Sequence, residues 1–196
     1  METFVAVDVE TTGLDFETER LIELAAVRFE NGSVVAEFQA LLPPGKTLTA
    51  IARLLTGLNE TELNAAPPVA DTLKAFLAFA GTLPLVAHNA GFDGTFLRLA
   101  LEREELPPLP GPWLDSLLLA RAAWPEWENH RLDFLAGRLS IPRDAEHRAL
   151  PDARRAGEVF IAAQRSLRDS ASPATWQMFA KLAATSAGWK LVFSGE

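Results

Sequence analysis

Acidic residues border three apolar segments that lie far apart in the chain. They are Asp8-Val9-Glu10, then Asp93 at the end of His88-Asn89-Ala90-Gly91-Phe92-Asp93, and then Asp152, five residues after His147. Apolar segments belong in a core, so any fold that buries all three can draw these four carboxylates and the imidazole together. Like charges crowded into one site cannot all stay ionised unaided. A divalent cation offsets their repulsion, and a set of carboxylate oxygens suits Mg²⁺ or Mn²⁺ rather than a thiolate-seeking ion. Two such ions clamping a phosphodiester are a general means of cutting nucleic acid, so the pattern points to a metal-dependent nuclease.

Composition narrows the class without deciding it. A chain of 196 residues, 48% hydrophobic and 22% charged, can bury one substantial core with some sequence left over. It has no cysteine, which excludes disulfides, zinc–thiolate sites and cysteine nucleophiles. The opening METFVAVDVE has no basic start and no small-residue cleavage pattern. No apolar run reaches the length of a membrane span. The expectation is a soluble, cytoplasmic protein with no membrane partner. The formal net charge of −8 is concentrated early: residues 1–90 hold 5 Lys+Arg against 12 Asp+Glu, and the remainder 13 against 14. No basic block resembles a long duplex footprint. A small site gripping a strand end, held through metal, fits this balance better.

The order of elements predicts an α/β fold. Thr3–Val9 reads as a buried strand ending in the turn Glu10-Thr11-Thr12-Gly13. Leu21–Phe29 and Val34–Leu42 flank Asn31-Gly32, a hairpin signal. Helical spacing follows over Leu48–Leu55 and again after Pro67-Pro68, where Val69, Leu73, Phe76, Leu77 and Ala80 share a face. Leu83–Ala87 is a further short strand, and Gly91 onward is helical. The run Pro107-Pro108-Leu109-Pro110-Gly111-Pro112 can only be a loop. Trp113–Trp124 reads as strand or helix, and Leu132–Leu139 and Pro151–Leu167 as helices. Strands first, then strands alternating with helices, give a mixed sheet with helices packed on it. Arg168–Pro173 reads as a polar break, so the expected domain is residues 1–167, with 168–196 as a helical extension. That extension carries Trp176, Phe179, Leu182 and Ala183 on an amphipathic helix over Ala174–Gly188.

Each acid has an ordinary explanation when taken singly. Residues two apart in a strand share a face, so Asp8 and Glu10 project together, which on a half-exposed strand would mean only solvated acids. Asp93 and Asp152 each fall at a helix start, where the helix dipole favours a carboxylate. His147 could be a plain loop histidine. The functional reading rests on all of them occurring together beside segments that should be buried, where unpartnered acids are costly.

The segments FVAVDVETTGL, LVAHNAGFD and HRALPDA resemble, in order, the three exonuclease motifs of the DnaQ-like, DEDDh-type 3′–5′ exonucleases. Lesser matches are Thr56-Gly57-Leu58, Asp115-Ser116-Leu117-Leu118 and His130-Arg131-Leu132-Asp133-Phe134-Leu135-Ala136. The resemblance covers roughly residues 3–165. A lone D-x-E is weak, H-N-A-x-F-D is strong, and all three in order are highly specific.

The resemblance implies a ribonuclease H-like fold, a mixed five-stranded sheet flanked by helices. It assigns Asp8, Glu10 and Asp152 to one metal, with Asp8 bridging to a second, and Asp93 to the second metal through water. His147 becomes the general base, a role suited to an imidazole whose ordinary pKa is roughly 6.5. Thr11, Thr12 and Leu14 match positions around the terminal nucleotide, and His88, Asn89 and Phe92 match further substrate-side positions. The implied reaction releases nucleoside 5′-monophosphates from single-stranded or frayed DNA 3′ ends with two Mg²⁺ or Mn²⁺ ions. The implied setting is proofreading, as in the epsilon-type subunits of replicative DNA polymerases, or repair. Two alternatives stay open: trimming of RNA 3′ ends, since nothing in the motifs reads the 2′ position, and a non-catalytic binding module on the same fold.

Overall fold

The computed structural model describes residues 3–142 and 148–170. The chain opens with β1 (Thr3–Thr11), β2 (Leu21–Glu30) and β3 (Ser33–Leu41), an antiparallel meander. Asn31 and Gly32 both adopt positive φ, 50° and 82°, as a two-residue turn between right-twisted strands requires. Three helices follow: α1 (Ala50–Thr56), α2 (Glu60–Asn64) and α3 (Val69–Ala80). Thr49 caps α1 and Asn59 caps α2, each accepting a first-turn N–H. Then come β4 (Leu85–Ala87), α4 (Ala90–Arg103), β5 (Trp113–Asp115), α5 (Ser116–Ala123), α6 (Leu132–Arg138) and α7 (Ala149–Ser170).

The five strands form one sheet in the order β3-β2-β1-β4-β5, with β4 parallel to both β1 and β5. The expected mixed five-stranded sheet with flanking helices is what the chain forms. The segment read as strand or helix is both: Trp113–Asp115 completes the sheet, and Asp115 turns the chain by accepting the N–H groups of Leu117 and Leu118. The final described helix begins at Ala149, ahead of Pro151, whose missing N–H costs nothing in a first turn. It continues into the expected break, as far as Ser170. The amphipathic helix anticipated over Ala174–Gly188 lies outside the described residues. No helix among the described residues is long and apolar enough to cross a membrane.

Strand alternation in β1 sorts the core into two layers and aims the acids. Val5, Val7 and Val9 point to one face, where Leu73, Phe76, Phe96 and Leu97 of α3 and α4 cover them. Phe4 and Ala6 point to the other, where Ala153 and Phe160 of α7 close over them. Phe4 stacks on Phe29 with ring centroids 5.0 Å apart and meets Phe160 edge-on at 5.3 Å. Each such pair contributes about 0.5–1.5 kcal/mol beyond area burial. Helix α7 comes so close to β2 that a Cβ on Gly157 would lie 2.3 Å from the Phe29 ring, so any larger residue there would have to displace the ring or the helix. Asp8 and Glu10 continue the even-numbered face of β1, and that face is the one α7 covers.

Candidate active site

At the carboxyl end of β1 this geometry brings three acids together. Asp8, Glu10 and Asp152 each offer a carboxylate oxygen, and these oxygens lie within 4.8 Å of one another. Asp152 sits in the first turn of α7, held against β1 by the Ala153 and Phe160 contacts. The crowding shows in the proton affinities. Burial, then Glu23, Asp152 and Asp93, push Glu10 up to about 8. Burial, Asp93 and Asp152 raise Asp8 well above the carboxylate range. Acids held in this state bind either protons or cations.

Asp93 stands beside the trio and makes a different contact. Its Oδ1 accepts the Val9 N–H at 3.2 Å, directly between Asp8 and Glu10. That N–H is available because β4 is short and pairs with β1 only at Val5 and Ala6. Burial lifts Asp93 to about 7 despite the bonds its carboxylate accepts. Asp93 is not the residue that caps α4. Asp115 reaches across from the end of β5 and accepts the N–H groups of Asn89 and Ala90 at 3.2 and 3.1 Å. Asn89 itself adopts the left-handed conformation, φ 76°, and is exposed.

The remaining expected residues divide between surface and framework. Leu14 is 80% exposed on the turn after β1. Thr11 bonds the Gly13 carbonyl at 2.7 Å, which tightens that turn. Thr12 faces inward: its N–H donates to the Arg20 carbonyl and its hydroxyl donates to Glu19, so its polar groups brace the turn. His88 is locked between Ser116 Oγ at 2.9 Å and the His130 carbonyl at 2.8 Å. A carbonyl only accepts, so Nε2 carries the proton and Nδ1 receives the serine hydroxyl. Burial lowers the His88 pKa and keeps this ring neutral. Phe92 is half-buried between Phe16 and Phe96, with centroids at 5.9 and 5.0 Å. His147 lies outside the described residues.

Three charged residues that the motif reading passed over also frame the site. Glu23, fully buried on β2, is the cross-strand partner of Glu10. It accepts two Arg148 bonds at 3.0 and 3.1 Å, Gln39 Nε2 at 2.6 Å and the Ala149 N–H at 3.4 Å. Arg155, buried on α7, bonds Asp152. Glu23 had a visible sign in the sequence, since it is an acid inside the apolar run Leu21–Val27. Arg148 and Arg155 had none.

A family model described as Exonuclease matches residues 5–160. Among curated proteins, the "DNA polymerase III PolC-type" of Oceanobacillus iheyensis is 42% identical over 156 residues, 80% of this chain. That of Streptococcus pyogenes serotype M5 is 38% identical over 167 residues, or 85%. The chain spans only 11% of the length of either relative. Among solved structures, an Exonuclease X complex with 5′ overhanging duplex DNA superposes with a TM-score of 0.67 at 25% identity, covering 88% of this chain and 96% of that one. Exonuclease I of E. coli with a 5cy-dT13 oligonucleotide gives 0.75 at 21% identity, covering 92% and 43%. With the fold, the acid cluster and these matches in agreement, the chain belongs to the RNase T exonuclease family, on the DnaQ-like, ribonuclease H-like fold.

Proposed function

We propose that the chain is a metal-dependent 3′–5′ exonuclease that releases nucleoside 5′-monophosphates from single-stranded or frayed DNA ends. The observation that carries this reading is the Asp8–Glu10–Asp152 cluster, its oxygens within 4.8 Å, in a member of an exonuclease family. The donor set fits Mg²⁺ or Mn²⁺, because it is all oxygen and the chain has no thiol. Asp8, Glu10 and Asp152 would hold the ions, with Asp8 shared between two and Asp93 contributing through water. When bound, two ions supply an activated nucleophilic water and stabilise charge on the leaving 3′ oxygen.

The chain's own residues bind, orient and move the proton. Leu14, exposed on its turn, would pack against the terminal base. Asn89, exposed at the start of α4, is held in its left-handed conformation by Asp115 and offers an amide to the strand. The framework bonds of His88 and Thr12 fix the walls on which these groups stand. His147 takes the proton from the attacking water, and its imidazole is matched to neutral pH.

DNA is the favoured substrate because the relatives at 42% and 38% identity carry the name of a DNA polymerase. Proofreading within a polymerase, or repair, is the corresponding role. The test is degradation of end-labelled single-stranded DNA, paired duplex, mismatched duplex and RNA, with Mg²⁺, Mn²⁺ or chelator. Single-stranded DNA should be shortened from its 3′ end, with 5′-monophosphate products, only when metal is present. Preference for RNA would replace this reading with RNA end-trimming. Binding without degradation of any substrate would leave a binding module.

A further inference from the structure

Arg155 is 2% exposed, yet it carries a full charge into the packed layer between α7 and its neighbours. One terminal nitrogen donates to Asp152 Oδ1 three residues earlier on the same helix. The other donates to Asp133 Oδ1 at 3.1 Å, in the first turn of α6. Its Nε is buried and finds no partner among the described residues. If helix packing were all this position required, leucine or methionine would fill it without desolvating a charge. An arginine left short of one hydrogen bond calls for another account.

We infer that Arg155 is a positioning residue for the metal site. The last torsion of an aspartate is broad and nearly two-fold, so its polar partners decide where its carboxylate plane lies. The Arg155 bond restrains that torsion and helps present Asp152 to Asp8 and Glu10 in one orientation. The second bond ties the ligand to Asp133, so α6 and the acid cluster are joined through one guanidinium. Two effects of Arg155 on a bound cation oppose each other: its charge repels the ion, while its hydrogen bond orders the ligand. Partners that orient metal ligands typically contribute about 10–100-fold in affinity, so ordering is expected to win. The inference rests on the metal-site reading of Asp8, Glu10 and Asp152.

The experiment is Mn²⁺ titration of the whole chain without nucleic acid, read by calorimetry and by the free-Mn²⁺ resonance, beside thermal melts in chelator. Arg155→Met should weaken Mn²⁺ binding about 10-fold or more, and Arg155→Lys should recover part of the loss. Asp133→Ala, at a side chain 46% exposed, should weaken binding about 3-fold by the same loosening. A folded Arg155→Met that binds Mn²⁺ within twofold of wild type, or more tightly, overturns the inference, even if its metal-free melting temperature falls. Should Arg155→Met not fold, Asp133→Ala decides: unchanged affinity overturns the coupling. Wild-type protein that binds no Mn²⁺ sinks the metal-site reading itself. That outcome is distinct from wild-type binding that the variants leave unchanged.

Discussion

Glu10 and Glu23 are direct cross-strand partners in the β1–β2 ladder, two acids on one face at the Asp8–Glu10–Asp152 cluster. Like charges so placed repel, and the two are treated differently by their surroundings. Glu23 receives Arg148 and the amino end of α7. Burial and three acid neighbours, Glu23, Asp152 and Asp93, outweigh the Arg148 charge at Glu10 and push its pKa from 4.5 to about 8.

The first prediction is a stability that falls with pH in the absence of metal. A carboxyl whose pKa is higher folded than unfolded holds its proton more tightly in the folded state. Its extra stability is full below the unfolded value and is lost as pH rises through the folded one. For Glu10 and Asp93 that window runs from about 4 up to about 8 and 7 respectively. Melting temperature in chelator should therefore decline from pH 5 to pH 8, and Mg²⁺ should raise it most at the alkaline end. Glu10→Gln should flatten the decline. Equal slopes in wild type and Glu10→Gln would show that the acids are not under the strain assigned to them.

The second prediction concerns which acid matters most. Asp8 is assigned to both ions and Glu10 to one, so Asp8→Asn should reduce turnover more than Glu10→Gln, with Asp8→Asn losing about 10³-fold, a scale typical of a single preorganised electrostatic group. Neither variant should unfold the protein. Asp8→Asn should raise the metal-free melting temperature, because Asp93, Asp152 and Glu10 then lose a like-charged neighbour. Steady-state rates at saturating metal, set beside melts in chelator, check both parts. Near-normal turnover in Asp8→Asn would remove the bridging assignment.

What could be read from the sequence was local. Asn31-Gly32 carries its own turn geometry, and the valines at 5, 7 and 9 carry the parity that sends Asp8 and Glu10 to the other face. The order of strands and helices was enough for a mixed sheet. The bonds that assemble the site join residues far apart in the chain, and no local pattern announces them. Glu23 and Arg148 are 125 residues apart, and Asp115 reaches back to Asn89 and Ala90 to set the start of α4. The helix-start acid that caps α4 is thus Asp115, while Asp93, nearer in sequence, turns to the Val9 amide. His88 and Thr12 match substrate-side motif positions, yet their polar groups serve the framework, a distinction only tertiary contacts make.

Glu23 gives the third prediction. Its carboxylate is fully buried and bonded to Arg148, Gln39 and the Ala149 amide. Removing one partner of such a pair typically costs about 3–5 kcal/mol, and Arg148, being partly exposed, places Glu23→Ala toward the lower end. Denaturant unfolding should show a lower midpoint with the slope unchanged. A loss under about 1 kcal/mol would mean that Arg148 finds water or another acid at little cost.

The fourth prediction separates base from ligand. His147→Ala should lower turnover about 10²–10⁴-fold, the range for loss of a general base, while Mn²⁺ affinity stays close to wild type. The wild-type rate should rise with pH through the imidazole range, and the variant should lack that limb. A variant that keeps the same limb would show that another group titrates.

The last prediction concerns how matched and mismatched ends are told apart. The proposed site takes an isolated strand terminus, and the sequence, at net charge −8, contains no basic block suited to gripping and opening duplex. A paired end must then fray before it can enter. Unpairing a terminal base costs a few kcal/mol, least where the base is already mismatched. At about 1.4 kcal/mol per tenfold, that difference alone gives a tenfold or greater preference for mismatched ends with no recognition of the wrong base. The preference should shrink with rising temperature, because matched ends then fray unaided. Rates on matched and mismatched ends of one duplex, measured across temperature, test this. Equal rates at low temperature would mean that the enzyme melts ends actively or accepts duplex, and passive fraying would no longer account for selectivity.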